Sequence, residues 1–336
     1  MINCDDFEPS PIVYRTFMTV LSFVTLPVNI FAMYCIIRKS TKQMGSYKWY
    51  LLAYQLSSFI FDFVFTVLIL PMVFFPVPMG YADSTLARWT SLSSHASLII
   101  FVSCFPFLTV TTISLFVYRC HLIIPQHHFL KINREGHVYI SSVLLLIYCV
   151  PVGAGLVNVS PDQKDAKRWV LEEYSCAESV IDIPRLHIFT PSSVRPLGII
   201  ALAQGVFAAI VTAYTIWLSF RFLRETNNMS QKTKAMQRRY LIYLCVQVSI
   251  PLFSLLIPVL VLLYILGMSA DLGQGTGNFA LSCMGVHGST TPLSLIFCND
   301  NYRNFTLMKI RGCAGKKHEF NVSTSVEQRI VRSAIQ

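Results

Sequence analysis

Long apolar runs recur along this chain, and they constrain its fold more than any other feature. A hydrocarbon core about 30 Å thick is crossed by about 20 mainly apolar residues in a helix. Seven such runs can be drawn, at about Ile12–Ile37, Trp49–Phe75, Trp89–Tyr118, Val138–Val157, Leu197–Phe220, Tyr240–Leu266 and Asn278–Cys298. Backbone polar groups inside lipid must be satisfied within their own segment, so the runs are helices. The expected fold is an all-α membrane protein, a bundle of seven transmembrane helices over 1–311.

Composition agrees. Of 336 residues 54% are hydrophobic and only 13% charged, about half the charge fraction of a soluble domain. Mean hydropathy is +0.54. The net charge of +10 does not point to nucleic acid, because the basic residues sit in short blocks between apolar runs, where they meet lipid headgroups. Ten cysteines show no CxxC pair and no Cys/His spacing for zinc. No cofactor or metal is implied. A hydrolase would need paired carboxylates, a His/Asp metal set or a Ser/His pair at matched depth, and none is visible, so the chain is not read as an enzyme.

The first eleven residues are polar and acidic, with no positive stretch before the first apolar run, so no cleaved leader is expected. Pro71, Pro76 and Pro78 close the second run, and Pro251 and Pro258 are expected to kink the sixth, since each removes a backbone donor. A polar segment of about 158–195 is long enough for a folded lid or hairpin over one face. The seventh run is diluted by His287, Gly288, Ser289, Thr290 and Thr291 and is expected to be enclosed by protein. The stretch Tyr302–Arg311 mixes apolar and basic side chains and reads as a short interfacial helix. Residues 312–336 read as a disordered tail.

Counting Lys and Arg orients the bundle. Of the 27, the loops after runs one, three and five together with the C-terminal tail hold 20, and the opposite set holds 7. Positive charge marks the cytoplasmic side, which puts the N-terminus outside and the C-terminus inside.

Several residues stand out against this frame. Asp62 lies well inside the second run, about 20 Å below its outer end, where a carboxylate must face a polar interior. It reads as a structural or ion-binding element of the core, or alternatively as a ligand contact. His95, Gln204 and His287 lie roughly 9 to 14 Å below the outer ends of their runs. They can line a shared outward pocket for a ligand, or make ordinary interhelical hydrogen bonds. Cys4 and Cys176 fall on the oxidising side and can pair with each other, stay free, or involve Cys283. Cys313 is a palmitoylation candidate, and Asn158-Val159-Ser160 is a glycosylation sequon on the outer side.

Seven spans with the N-terminus outside is the topology of G-protein-coupled receptors, but rhodopsin-like marks are missing: no acid precedes the arginine in Phe116-Val117-Tyr118-Arg119-Cys120, and no Asn-Pro pair followed by tyrosine occurs in the seventh run. Four stretches resemble the nematode seven-transmembrane chemoreceptors of the Str superfamily, class h most closely and class i next. They are Met44 to Leu52; Asp62 with Pro71, Phe75-Pro76 and Gly80-Tyr81; Phe116 to Arg119; and His287-Gly288 leading to Tyr302-Arg303. The class usually has an acid or amide just before the arginine, whereas Val117 and Tyr118 stand here. The resemblance implies detection of an external small-molecule or peptide cue in sensory neurons and signalling through a heterotrimeric G protein. It gives Arg119 a place on the G-protein-facing surface, against the alternative of an interface anchor. A seven-span channel or transporter is the competing class; it should show several intramembrane charges or internal repeats, and Asp62 is the one acidic residue well inside a run.

Overall fold

A computed structural model describes residue 8 and residues 10–41, 44–75, 77–125, 128–157, 159, 161–225, 230–268 and 273–314. Seven long helical segments form the bundle. They are α1 (Ile12–Lys39), α2 (Tyr47–Asp62) continued by a π-helical turn at Phe63–Ile69, α4 (Ser94–Ile123), α5 (Arg134–Val157), α7 (Pro191–Glu225), α8 (Gln231–Pro251) continued through a π-helical Leu252–Leu256 into α9 (Ile257–Met268), and α10 (Gly273–Cys298). Five of these are long and apolar enough to cross a membrane. The other two are the broken α8–α9 segment and α10, whose polar centre was anticipated.

Two helices sit centrally. α4 packs on α2, α5 and α7, while α10 packs on α1, α2, α8 and α9. The core follows, with Met18, Phe61, Phe65, Leu115, Phe116 and Met284 buried in one cluster. Residues such as Ile210, Val150 and Phe23 stay exposed on the outer surface of the bundle, as a lipid-facing surface requires.

Boundaries differ from the sequence reading for local reasons. α2 and its π turn stop at Ile69 rather than near Phe75, because a residue before proline avoids the helical region and Leu70 turns left-handed at φ 47°. The prolines pass into a hairpin instead. α4 begins at Ser94 rather than Trp89: Ser93 caps it by accepting the Ala96 amide at 3.1 Å, and Trp89 ends a separate short helix, α3 (Thr85–Trp89). The sixth span breaks as its prolines demand. The missing proline donors slip the hydrogen-bond register into a π turn between Pro251 and Pro258. In α2 the Thr66 hydroxyl donates to the Asp62 carbonyl at 2.9 Å and competes for the helical acceptor.

A lid covers one end. β1 (Pro71–Val73), β2 (Met79–Ala82) and β3 (His187–Ile188) form an antiparallel sheet in that order, with Met72 opposite Tyr81 and Gly80 opposite His187. The long polar segment supplies β3 and the amphipathic α6 (Gln163–Glu173). Phe74, Val77, Met79, Val170, Tyr174 and Ile188 give the lid a small apolar core of its own. At the other end α11 (Asp300–Ala314) follows α10, as the interfacial helix expected there. Phe305 stacks on Phe31 with centroids 6.2 Å apart, and Lys39 lies 4.4 Å over the Phe305 ring. The helix runs three residues beyond Arg311, into the stretch 312–336 that reads as a disordered tail, and residues 315–336 lie outside the described residues.

Candidate functional site

Arg119 lies inside α4, not at its end. The helix continues to Ile123, so a side chain expected at the membrane surface is 6% exposed. Its guanidinium carbon lies 5.0 Å from the ring centroid of Tyr47, at the start of α2, and 5.0 Å from that of Tyr240 on α8. Two aromatic faces therefore hold the cation where a carboxylate partner is absent from the neighbouring sequence. Each such contact is worth about 0.5–2 kcal/mol, less than the several kcal/mol of burying an arginine without an ion partner. Nε and Nη2 have no protein acceptor among the described residues. The clamp leaves donors unspent. A second ring pair continues it, since Tyr50 stacks on Tyr118 at 4.3 Å.

Towards the lid, the same bundle holds a polar lattice. Gln55 Nε2 donates to Asn29 Oδ1 at 2.7 Å, and Asn29 Nδ2 donates to the Gly288 carbonyl at 3.0 Å. Asn29, Gln55 and Ser58 are fully buried. Asp62 lies beside the lattice at 4% exposure, and its carboxylate packs so closely on Gly288 that a Cβ there would overlap it, while Oδ1 has no hydrogen-bond partner among the described residues. This is seven residues from the helix end at Ile69, about 10 Å rather than the 20 Å expected, because α2 is shorter than its apolar run.

His287 belongs to this lattice. It is fully buried, with Ser254 Oγ 3.2 Å from Nδ1, Ser58 Oγ 3.3 Å from Nε2, and Phe61 edge-on at 6.0 Å. The expected grouping with His95 and Gln204 is not formed. His95 is in the first turn of α4 because the helix starts late, and there it stacks on His187 of the lid, centroids 5.3 Å apart at 18°. Gln204 turns to α5, donating to the Tyr148 carbonyl at 3.0 Å, while the Tyr148 hydroxyl donates to the Gln204 carbonyl at 3.1 Å. His287 lies fourteen residues into α10, about 21 Å. The three share no partner: Gln204 and His287 make interhelical hydrogen bonds, and His95 stacks on the lid near the start of its helix.

Burial, and then the neighbouring His95, push the His187 imidazole down to about 4. Gln163 Oε1 accepts the Ile188 amide at 3.0 Å, tying α6 to the same strand. Sequence reasoning missed Tyr47, Tyr240, Asn29, Gln55 and His187. Tyr47 and Tyr240 carried a signal, one just before and one opening an apolar run beside a basic block, where an aromatic ring can meet a buried cation.

The remaining candidates fall largely beyond what is described. Cys4, Asn158 and Ser160 lie outside the described residues, as do the side chains of Cys176 and Cys313. The backbone of Cys176 is in a short 3-10 turn, Ser175–Ser179, and that of Cys313 is in the last turn of α11. Cys283 is unbridged. Among the described residues no group of three His, Cys, Asp or Glu is arranged to hold a metal ion.

With this geometry in place, the fold can be matched. The crystal structure of squid rhodopsin superimposes with a TM-score of 0.62 at 12% sequence identity, over 93% of this chain and 91% of that one. The bundle is a seven-helix receptor fold. The family model described as "Serpentine type 7TM GPCR chemoreceptor Srh" matches residues 9–312. The chain belongs to that family of membrane chemoreceptors. No curated protein sequence matches it.

Proposed function

We propose that this chemoreceptor detects an external small-molecule or peptide cue and activates a heterotrimeric G protein. In this reading the lid and N-terminus face outside, and Arg119, the basic loops and α11 face the cytoplasm of a sensory neuron, at the plasma membrane of its cilium. The observation that carries it is the clamp. Arg119 is held buried by Tyr47 and Tyr240 with two nitrogens lacking an acceptor among the described residues, four residues before the end of α4 and against tyrosines that follow the basic blocks after runs one and five. Such an arginine gains by meeting a carbonyl-rich protein partner once the tyrosines part.

Asp62 acts as a structural member of the polar core, and the domain ends near 311, before a cytoplasmic tail. A Cys4 to Cys176 bond, acylation of Cys313 and glycosylation of Asn158 remain part of the reading, each on its expected side. The test is a ligand screen with a calcium or cyclic-nucleotide readout in cells expressing the chain, repeated with Arg119→Ala. An active cue should bind the variant at near wild-type affinity, with some loss because coupling is reciprocal, and its signal should disappear. A variant that binds and signals normally would reduce Arg119 to an interface anchor.

A further inference from the structure

A groove of about 860 Å³ opens between the ends of α7 and α8. On α7 it is walled by Trp217, Arg221 and Arg224, spaced four and three residues apart and hence on one helix face. On α8 its walls include Lys234, Ala235 and Arg238. The floor of the groove is shared with the bundle, since Leu223 lines it and is buried, while Thr215, Ser219 and Phe222 of α7 turn inward. None of Tyr47, Arg119 and Tyr240 lines the groove, so it is separate from the clamp.

Its chemistry has two parts. Four cations meet one acid, Glu225, which is engaged by Arg221 at 2.9 Å. Among the described residues Arg224, Lys234 and Arg238 have no ion-pair partner. Along the same α7 face, toward the bundle's middle, lies an apolar strip: Ile210 and Tyr214 are more than half exposed, and Tyr214 stacks on Trp217 with centroids 5.9 Å apart. Tryptophan at this level marks the membrane interface. The groove's occupant should therefore carry negative charge at one end and hydrocarbon at the other. Arginines present paired donors that match phosphate oxygens. A soluble acidic segment would satisfy the cations and leave the strip unused.

We propose that this groove seats the headgroup of an anionic phospholipid, with its acyl chain along Ile210, Tyr214 and Trp217. The proposal rests on the orientation given above only for naming the cytoplasmic leaflet as the source. It can be tested on the full chain in phosphatidylcholine nanodiscs doped with phosphatidylinositol bisphosphate, counting retained lipid by native mass spectrometry. Both faces of a nanodisc are accessible, so the result is independent of orientation, which tag labelling reads separately.

The wild-type chain should retain the anionic lipid over phosphatidylcholine, and R224Q/R238Q should lower that retention about thirtyfold. Both side chains are exposed, so the fold should survive. The charge-keeping pair R224K/R238K should retain most of the binding, and K309Q/R311Q on α11 should leave it unchanged. Equal retention by R224Q/R238Q and wild type would overturn the proposal. So would loss through the α11 pair alone, or equal binding of soluble inositol trisphosphate, which would make this a phosphate site without a lipid. Lost signalling in R224Q/R238Q with lipid retention intact would assign the groove to a protein partner instead.

Discussion

At the scale of single residues, the account turns on close approaches that tolerate few substitutes. Tyr240 holds Arg119 by its ring face, so Tyr240→Leu should loosen the clamp by about 1 kcal/mol and raise ligand-independent signalling roughly fivefold. Tyr240→Phe keeps the ring and should stay near wild type in a basal cyclic-nucleotide assay. Gly288 has no room for a side chain beside Asp62. Gly288→Ala should sharply reduce surface expression, and Asp62→Ala added to it should recover part of the loss, a coupling of about 1–3 kcal/mol. Additive effects in this cycle would mean the two do not touch. His187 binds its proton more weakly in the folded chain, with a value of about 4 against 6.5 for a free imidazole. The unfolded state therefore takes up more protons between those values, and stability contributed by the neutral lid histidine is full above pH 6.5 and falls as the pH drops toward 4. Thermal melts across that window should show a slope that His187→Gln flattens. Asp62 was conspicuous in the sequence as a charge inside an apolar run, which is costly, and Arg119 as the cation that follows the third run in a stretch resembling the family. Their neighbours were not, because Gly288, Tyr47 and Tyr240 come from distant segments that only the packing brings together.

Elements show why boundaries were harder to read than existence. Every apolar run became a helical segment, since lipid leaves the backbone no other choice. Hydropathy alone did not place the ends. The second run continues apolar through Phe75, yet Pro71 forces the chain out of the helix at Leu70, and Trp89 belongs to a separate helix. Those few residues shifted the depths of Asp62 and His95, and with them the expected pocket. The prolines of the sixth run were legible as a break, and its form as a π turn emerges only from the hydrogen bonds. The lid makes a prediction at this scale. Gly80 lies in the middle strand, and a Cβ there would come within 2.5 Å of the Met72 carbonyl oxygen. Gly80→Ala should open the lid to limited proteolysis between β3 and α6 while the bundle keeps its thermal midpoint. Unchanged cleavage would show that the sheet does not hold the lid.

For the whole molecule, the central claim is directional: the sheet-covered end meets the cue, and the end with Arg119, the basic loops and α11 meets the G protein. The family and the fold agree with a receptor, and the direction rests on 20 of 27 basic residues falling on one side. An odd number of spans sets the termini on opposite faces, so one measurement reads the direction. Antibody labelling of intact and permeabilised cells, with one tag before Met1 and another after Gln336, gives it directly. The N-terminal tag should be reached on intact cells and the C-terminal tag only after permeabilisation. The reverse pattern would put Arg119 and its clamp outside the cell and contradict the account.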